Sequence, residues 1–394
     1  MKKLTSLLLI ITILMLIEMP VFAETGTKNS AEKDGFYSDA NIELNEEVFG
    51  AYLCEASTGK VLYAKNEFKA ASPASVTKVM TLLLVMEALD AGKFNLSDTV
   101  TISAKAASMG GSQVFLEEGE RITVEELIKS TVIASGNDSS VALAELTAGS
   151  ESAFVKLMNN RAVELGLKNT SFENATGLDD TTTNHYSCAA DIATMSRELI
   201  KHELILNYSS IWQDTIRNGE FTLTNTNRLV RYYDGCNGLK TGSTDKAGYC
   251  VSATAKRGNM QLIAVIMGAK TRDERNAAAR TLLDYGFANF ALYERGEEFI
   301  ENASVIGGTI DSIPLYCGGF RCVVEKALLS KIELIYDIPE SISAPIENGQ
   351  TVGEIKYMID KEQIGSSNII SKNAVDRITW GDIFIRILKR ITCG

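Results

Sequence analysis

The sequence predicts a mixed α/β (α+β) fold with a helical insert, followed by a small all-β domain. Three observations lead to this fold class. The chain has 394 residues, which exceeds an ordinary single domain and suits two. A helical stretch lies between strand-like segments, and strand-like patterns dominate from residue 293 onward. We therefore expect a larger domain over residues 41–292 and a smaller β domain over residues 293–377.

The amino-terminal segment has the pattern of a signal peptide. Lys2 and Lys3 precede an apolar run over residues 7–17, and the segment ends at the small residue Ala23. We expect cleavage after Ala23, a polar linker over residues 24–40, and export to the outer face of the cell membrane. An uncleaved signal anchor is the alternative, although the run is shorter than the about 20 apolar residues of a membrane span.

The sheet of the larger domain is expected to draw strands from both ends of that domain. A hairpin is predicted near the start, with strands over Val48–Cys54 and Val61–Ala64. Two paired strands, Gly248–Ala255 and Met260–Met267, are predicted near the end. A closing helix is expected over about residues 272–290.

The segments between these strands have helical patterns. Residues Val79–Met86 are apolar on all sides, which predicts a buried helix. We expect Ala104–Ala148 to be mainly helical, and the pattern continues through Phe154–Leu165 and Ala189–Ile205. In the β domain the strand-like segments are Val323-Val324, Ile332–Tyr336 and Thr351–Ile355.

Composition argues against several kinds of partner. The formal net charge is −11, whereas a nucleic-acid-binding protein needs a basic surface. The chain has two histidines and no Cys-x-x-Cys pair, so no metal site is expected. Among the seven cysteines, Cys54 and Cys250 are expected to be buried thiols. Cys317 and Cys322 could form a disulfide across a hairpin or remain free, and the sequence leaves both possibilities open.

Three short motifs occur in order along the larger domain: Ser75-Val76-Thr77-Lys78, Ser135-Gly136-Asn137 and Lys240-Thr241-Gly242. Each alone is common. Together they form the S-x-x-K, S-x-N and K-T-G set of serine enzymes that open a peptide or β-lactam bond through an acyl-enzyme. The set supplies a nucleophile, two lysines to move protons and hold charge, and a strand to bind substrate.

The first two motifs suit proton transfer. Ser75 and Lys78 are three residues apart, so at the start of a helix both side chains project from one face. A partly desolvated lysine can take the proton of the serine, and the backbone N–H of Ser75 can donate toward an oxyanion. Ser135 can relay a proton to a leaving amine while Asn137 binds a substrate carbonyl, although Ser-Gly-Asn is also a common helix cap.

The third motif opens a predicted strand and continues through Ser243 and Thr244. Gly242 allows another backbone to approach closely, and Lys240 can hold negative charge. The hydroxyls of Thr241 and Ser243 can bind a carboxylate. A solvated turn is the alternative, but the segment runs directly toward an apolar strand.

Further segments resemble the low-molecular-mass penicillin-binding proteins, specifically the exported serine-type D-alanyl-D-alanine carboxypeptidases. They are Phe172–Leu178, His185-Tyr186-Ser187 and Lys240–Tyr249, together with the layout of signal, catalytic domain, β domain and basic tail. The resemblance implies the penicillin-binding-protein/β-lactamase-like transpeptidase fold. It also implies removal of the terminal D-alanine from peptidoglycan stem pentapeptides in cell-wall biogenesis, without a cofactor, and inhibition by β-lactam antibiotics such as penicillin.

The resemblance further implies roles for the motif residues. Ser75 would be the acylated nucleophile and Lys78 its base. Ser135 would relay protons, Asn137 would bind substrate, and Lys240 would assist Ser135 and hold charge.

The remaining roles lie in or beyond the third motif. The backbone N–H groups of Ser75 and Ser243 would form the oxyanion hole; the family often has histidine where this chain has Ser243. Thr244 and Arg275 would contact the terminal carboxylate of D-alanine, with Arg228 as the rival of Arg275. His185 and His202 are expected to be structural.

Two other functions stay open at this level. A class A-type β-lactamase would need a carboxylate that drives rapid deacylation, and Glu173 is a candidate by position only. Such an enzyme also has no need of the β domain over residues 293–377. A catalytically silent wall-binding protein is disfavoured because the nucleophile, both lysines and the relay serine are all present.

The tail over residues 378–394 has an amphipathic helical pattern. Its apolar residues recur at helical spacing, and most of its basic residues lie away from them; the apolar set is Ile383, Phe384, Ile387, Leu388 and Ile391, and the basic set is Arg386, Lys389 and Arg390. The segment is too short to span a bilayer and suits a helix that lies in the membrane surface. A helix packed on the β domain is the alternative.

Overall fold

A five-stranded antiparallel sheet forms the centre of the larger domain in a computed structural model that describes residue 42, residues 44–180 and residues 182–392. The predicted signal peptide and linker, residues 1–40, lie outside the described residues. The strand order is β2-β1-β9-β8-β7. The strands are β1 (Gly50–Glu55), β2 (Val61–Lys65), β7 (Cys236–Thr244), β8 (Gly248–Arg257) and β9 (Met260–Ala269). Strands from both ends of the domain therefore pair in one sheet, β1 with β9, as the sequence predicts.

The sheet is covered by helices on both faces. Helix α9 (Arg272–Asn289) packs closely on one face, where a Cβ at Gly286 would meet the side chains of Leu262 and Leu53. The next residue along β9, Ile263, instead belongs to the core shared with the helical block. This alternation is the period-two pattern of a strand buried on both faces.

The helical block begins with a 3₁₀ turn, Ala74–Thr77, which leads directly into α1 (Lys78–Asp90). Every side chain from Val79 to Met86 is buried, as the apolar run predicts. The other helices are α2 (Ala104–Ala107), α3 (Val124–Val132), α4 (Asn137–Ala148), α5 (Glu151–Glu164), α6 (Ala189–Leu199), α7 (Glu203–Ser209) and α8 (Leu229–Tyr232). Because α1 lies at the centre of this block, its first turn is held from several sides.

The prediction of a mainly helical segment over Ala104–Ala148 is wrong for its middle part. Residues 108–120 form a loop, in which Gly111 and Gly119 adopt positive φ angles that disfavour a helix. The loop leads into β4 (Arg121–Thr123), which pairs with β3 (Thr99–Thr101). A second small hairpin that the sequence analysis missed pairs β5 (Gln213–Ile216) with β6 (Phe221–Thr224). The predicted helical stretch through Ile205 is also interrupted between α6 and α7.

The β domain contains a six-stranded sheet in the order β14-β16-β17-β12-β11-β15 and a separate pair of strands, β10 and β13. The strands are β10 (Phe290–Arg295), β11 (Glu298–Ile306), β12 (Ser312–Cys317), β13 (Phe320–Glu325), β14 (Glu333–Asp337), β15 (Ser341–Ser343), β16 (Thr351–Ile359) and β17 (Glu362–Ser371). Cys317 and Cys322 are free thiols. The predicted hairpin between them does not form, because β12 and β13 belong to different sheets.

The tail forms α10 (Trp380–Thr392), most of whose large apolar side chains are exposed, whereas Ile383 is half-buried. Arg386 donates hydrogen bonds to the Asp311 carboxylate at 3.1 Å and to the carbonyl of Thr309. The helix is thus tied to the β domain through one basic side chain, while Trp380 and Phe384 face solvent. Within the residues that the structure describes, no helix is both long and apolar enough to cross a membrane.

Candidate active site

Ser75 lies in the 3₁₀ turn before α1 and beside the edge strand β7. Backbone N–H groups in a first helical turn have no partner within the helix, so that of Ser75 is available to a ligand. The preceding residue, Ala74, has a φ of 47°, in the left-handed region that L-residues seldom adopt. Such strained backbone is concentrated at functional sites, where the surrounding structure holds it.

Lys78 is fully buried, and its Nζ atom reaches three oxygen atoms. It lies 3.0 Å from Ser75 Oγ, 2.6 Å from Asn137 Oδ1 and 2.8 Å from the carbonyl oxygen of Thr176. Burial disfavours the charged form, so the pKa of Lys78 is well below its ordinary value; the neighbouring Lys240 lowers it further and Asp138 opposes the shift.

The two carbonyl-type acceptors determine how the Lys78 amine is oriented. A neutral lysine has two N–H groups and one lone pair. Asn137 Oδ1 and the Thr176 carbonyl can only accept, so they take the two N–H groups. The lone pair is then directed at Ser75 Oγ, which lies at hydrogen-bond distance. This geometry suits removal of the proton from Ser75.

The amide of Asn137 has a fixed orientation. Its Nδ2 donates to the carbonyl of Gly110 at 2.7 Å, which leaves Oδ1 for Lys78. The adjacent Asp138 is also buried, and its Oδ2 accepts from the backbone N–H groups of Val114 at 2.9 Å and Leu116 at 3.1 Å. The loop that the sequence analysis took for helix is therefore bound to the start of α4 beside Asn137.

Ser135 and Lys240 form a second serine–lysine pair. Lys240 Nζ donates to Ser135 Oγ at 2.8 Å and to the carbonyl of Thr241 at 2.8 Å, and both side chains are buried. Ser135 has a φ of 64°, a second strained position in this site. Because its oxygen accepts from Lys240, its own O–H is free to donate to another group.

Arg275 is a second buried cation whose charge acts on Lys240. Burial lowers the pKa of Lys240 to about 7, and the charge of Arg275 contributes to the shift. The Arg275 guanidinium is itself buried and donates to the neutral amide oxygen of Asn276. Arg228, in contrast, is exposed at the start of α8. Buried positive charge with neutral partners suits an anionic ligand group.

The remaining residues of the third motif follow β7 toward its end. Thr241 Oγ1 donates to Thr226 Oγ1 at 2.8 Å, and the Ser243 side chain is exposed. Thr244 Oγ1 accepts from the Ala247 backbone and donates to Asp179 Oδ2 at 2.6 Å. To donate to the carboxylate of a ligand, the Thr244 hydroxyl must therefore first break its hydrogen bond to Asp179.

Within the part of the chain that the structure describes, other side chains considered from the sequence make no hydrogen bond to the two serine–lysine pairs. Glu173 is exposed, and its carboxylate accepts from the backbone N–H of Thr183 at 2.8 Å. His202 pairs with Asp90 at 2.6 Å, and His185 is buried against Thr77. Among the described residues no cluster of three or more His, Cys, Asp or Glu side chains could hold a metal ion.

One group of the candidate site was not predicted from the sequence, the carbonyl of Thr176. A backbone oxygen leaves no signature in the residue type, and only the fold brings it to Lys78. The run Phe172–Leu178, quoted above for its resemblance, is the segment that carries it.

Family models match both parts of the chain. Residues 44–271 match the D-alanyl-D-alanine carboxypeptidase model, and residues 287–377 match the model of the C-terminal domain of penicillin-binding protein 5.

Individual proteins are similar over most of the chain. The D-alanyl-D-alanine carboxypeptidase DacF of Bacillus subtilis is 43% identical over 99% of this chain and 98% of its own length. Penicillin-binding protein 5 of Haemophilus influenzae has a similar structure, with a TM-score of 0.75 and 32% identity over 86% of this chain and all of that one. Penicillin-binding protein D2 of Listeria monocytogenes, solved in the ampicillin-bound form, has a TM-score of 0.58 and 30% identity over 62% of this chain and all of that one.

The close approach of β7 to the nucleophile's turn generates a stability prediction. A Cβ at Gly242 would lie 2.7 Å from the Ser75 nitrogen and 2.8 Å from the Val76 nitrogen. These are backbone atoms that cannot move independently, so we expect Gly242→Ala to lower the free energy of unfolding by about 1–3 kcal/mol in denaturant titration. Gly296→Ala is the matched control, because its Cβ would meet nothing within 4 Å. Equal unfolding midpoints for the two variants would contradict this close packing.

Proposed function

The chain belongs to the D-alanyl-D-alanine carboxypeptidase family, and we propose that it removes the terminal D-alanine of peptidoglycan stem pentapeptides through an acyl-enzyme on Ser75. It is a serine-type D-Ala-D-Ala carboxypeptidase and a penicillin-binding protein of cell-wall biogenesis. The observation that carries the residue assignment is the buried Lys78 amine, whose two N–H groups are taken by carbonyl oxygens and whose lone pair faces Ser75.

The reaction begins when Ser75 Oγ attacks the carbonyl carbon of the D-Ala-D-Ala peptide bond. Its proton passes to the neutral Lys78 amine as the new C–O bond forms. Negative charge develops on the carbonyl oxygen, where the N–H groups of Ser75 and Ser243 donate. The close contact of Gly242 with the Ser75 backbone supports this pairing, because it brings the two donors to one side of the substrate.

Ser135 then serves the leaving group. Its O–H donates a proton to the nitrogen of the departing D-alanine as the C–N bond breaks, and Lys240 supplies the replacement. The 2.8 Å contact between Lys240 Nζ and Ser135 Oγ supports this relay. Because the pKa of Lys240 is lowered to about 7, its proton is readily given up and regained near neutral pH. Water then attacks the acyl carbonyl carbon and gives one proton, through Ser135, to Lys240. Lys78 returns its proton to Ser75 Oγ as the acyl C–O bond breaks, which restores Ser75 and both lysines.

The buried cations supply the preference for a free carboxyl terminus. Arg275 binds the terminal carboxylate, with Lys240 adding positive potential. Asn137 and the Thr241–Gly242 segment of β7 hold the peptide, which lies along the edge strand as an additional strand. Thr244 contributes its hydroxyl once it is released from Asp179.

The two alternative functions have less support. The exposed Glu173 carboxylate, bound to the Thr183 backbone, gives a β-lactamase no carboxylate for fast deacylation at that position. Burying Lys78 fully costs desolvation free energy, and a neutral amine at Ser75 serves catalysis rather than binding. A silent wall-binding protein gives no reason for this arrangement.

Export and membrane attachment complete the proposal. We assign residues 1–23 to a signal peptide and place the enzyme at the outer face of the cell membrane. The exposed apolar side of α10 supports its insertion into the membrane surface. The bond from Arg386 to Asp311 leaves that side uncovered.

The nucleophile assignment predicts that Ser75→Ala abolishes both labelling by a fluorescent penicillin and release of D-alanine from a diacetyl-Lys-D-Ala-D-Ala peptide. Loss of a catalytic group costs orders of magnitude in rate. The matched control is Ser210→Ala, because that serine is exposed and its hydroxyl donates only locally, to the carbonyl of Asn207. Full labelling of folded Ser75→Ala would refute the assignment. A wild-type adduct that turns over rapidly would indicate a β-lactamase.

The carboxylate site predicts that Arg275→Ala lowers kcat/KM for the peptide about ten- to a hundredfold, since a hydrogen bond to a charged group contributes about 1.5–3 kcal/mol. Acylation by penicillin is expected to fall less. Arg228→Ala is the control, with an exposed side chain of the same type. If Arg228→Ala impairs peptide hydrolysis while Arg275→Ala does not, the carboxylate site belongs to Arg228.

The tail predicts a change of location without a change of activity. Removing residues 379–394 should move the enzyme from the membrane fraction to the soluble fraction, with D-alanine release per molecule unchanged, because the apolar side of α10 is lost. Replacing Phe384 and Ile391 by serine in the full chain tests the same surface. Truncated, signal-cleaved enzyme that still sediments with membranes would argue against a tail anchor.

A further inference from the structure

His185 is a buried side chain that none of the steps above uses. It precedes α6 and lies beside the nucleophile's turn. Its Nε2 is 2.7 Å from Thr77 Oγ1, and its Nδ1 accepts from the backbone N–H of Glu173 at 3.1 Å. The ring is 3% exposed and packs edge-on against Phe172, with ring centroids 5.8 Å apart. The imidazole therefore bridges two separate segments of the chain.

These bonds fix the tautomer. A backbone N–H can only donate, so Nδ1 must present its lone pair to Glu173. The ring proton is then on Nε2, which donates to the Thr77 hydroxyl. Burial lowers the pKa of His185 to about 4, which keeps the ring neutral under ordinary conditions.

Both segments that His185 joins lead directly to Lys78. Thr77 immediately precedes Lys78 in the chain. Three residues after Glu173, the Thr176 carbonyl accepts from Lys78 Nζ at 2.8 Å, and the Ala175 carbonyl accepts from Thr81 Oγ1 at 2.7 Å.

The turn over residues 173–177 is pressed against the start of the catalytic helix. Gly177 has a φ of 83°, and a Cβ there would overlap the carbonyl of Ala74. A small displacement of this turn would therefore move the Thr176 oxygen relative to the amine.

We propose that His185 is a positioning residue for Lys78: by tying Thr77 to Glu173 it holds the Thr176 carbonyl where that oxygen directs the Lys78 lone pair at Ser75. The proposal rests on the proposed function, because it assumes that Lys78 is the base. His185 itself touches neither Ser75 nor the reacting atoms. It acts through one of the two acceptors that orient the amine, the Thr176 carbonyl.

A proton on Nδ1 breaks this arrangement, because two N–H groups would then face each other. The charged groups around the ring are Glu173 and Asp179, which favour protonation, and Lys246, which opposes it. Glu173 is bound to Thr183, and Asp179 to Ser72 and Thr244. Burial outweighs the two carboxylates. As the pH falls toward about 4, His185 gains a proton, the bond to Glu173 is lost, and the turn is released.

The test compares His185→Ala and His185→Gln in the full enzyme. A glutamine accepts with its carbonyl oxygen and donates with its amide nitrogen, as the neutral histidine does, but it does not titrate. The measurement is the second-order rate constant for acylation by a fluorescent penicillin between about pH 4 and pH 8, which reports groups of the free enzyme. Asp191→Asn is the control for stability, because Asp191 binds the backbone of Asn169 just before this segment.

At pH 7 we expect His185→Ala to acylate about ten- to a hundredfold more slowly than wild type, the range of a misplaced catalytic group. His185→Gln should acylate within about threefold of wild type there and lose less activity than wild type below about pH 5. Asp191→Asn should lower the unfolding midpoint while leaving the acylation rate unchanged. If His185→Ala does not fold, the pH profile of His185→Gln still tests the positioning role.

Wild-type acylation kinetics in folded His185→Ala, or identical acid limbs in His185→Gln and wild type, would overturn the positioning role. The positioning role would also be overturned if Asp191→Asn lost as much acylation rate as His185→Ala, because the loss would then follow from reduced stability alone. A wild-type enzyme that forms no adduct and releases no D-alanine would instead refute the proposed function.

Discussion

The burial of one amine, that of Lys78, is the constraint on which the site depends. Taking an ammonium group out of water is expensive, so burial holds the pKa of Lys78 well below its ordinary value and favours the neutral amine that the proposed mechanism needs. The cost is tolerated because Asn137 and Thr176 satisfy both remaining N–H groups. Those acceptors come from different segments of the chain. The central helix, the strained turn before it and the segments that carry the two acceptors must therefore all be folded before the Lys78 amine is held at Ser75.

The lysines of the two serine–lysine pairs have different surroundings, and the proposed mechanism gives them different roles. The Lys78 amine donates to two carbonyl-type oxygens, which a neutral amine can do with its two N–H groups. Burial, with a contribution from the charge of Arg275, lowers the pKa of Lys240 to about 7, so both of its protonation states are accessible near neutral pH. In the proposed mechanism, one fold thereby provides a base at Ser75 and an exchangeable proton at Ser135, without histidine chemistry at the reacting atoms.

The sequence predicted what depends on side-chain pattern. That strands from both ends of the larger domain belong together was predicted from strand-like apolar runs. Ser75, Lys78, Ser135 and Lys240, which the structure brings into two hydrogen-bonded pairs, were predicted as site residues from the motifs. Backbone contributions escaped prediction, because neither the Thr176 carbonyl nor the loop over residues 108–120 has a periodic signal. The bond between Thr244 and Asp179 also joins residues far apart in the chain, and only tertiary structure reveals it. His185 was predicted to be structural, and residue type alone gave no indication that its two ring nitrogens connect the helix to the turn.

The free cysteines have a consequence for the chemistry of the protein outside its site. Burial raises the pKa of five thiols to about 11 or 12: Cys54, Cys188, Cys236, Cys250 and Cys322. Only the thiolate attacks disulfides or oxidants, and at neutral pH about one such thiol in ten thousand or fewer is ionised. Apart from the half-buried Cys322, these thiols therefore behave as small buried apolar groups. At neutral pH these five thiols are therefore expected to be slow to form disulfides with one another or with thiols in solution.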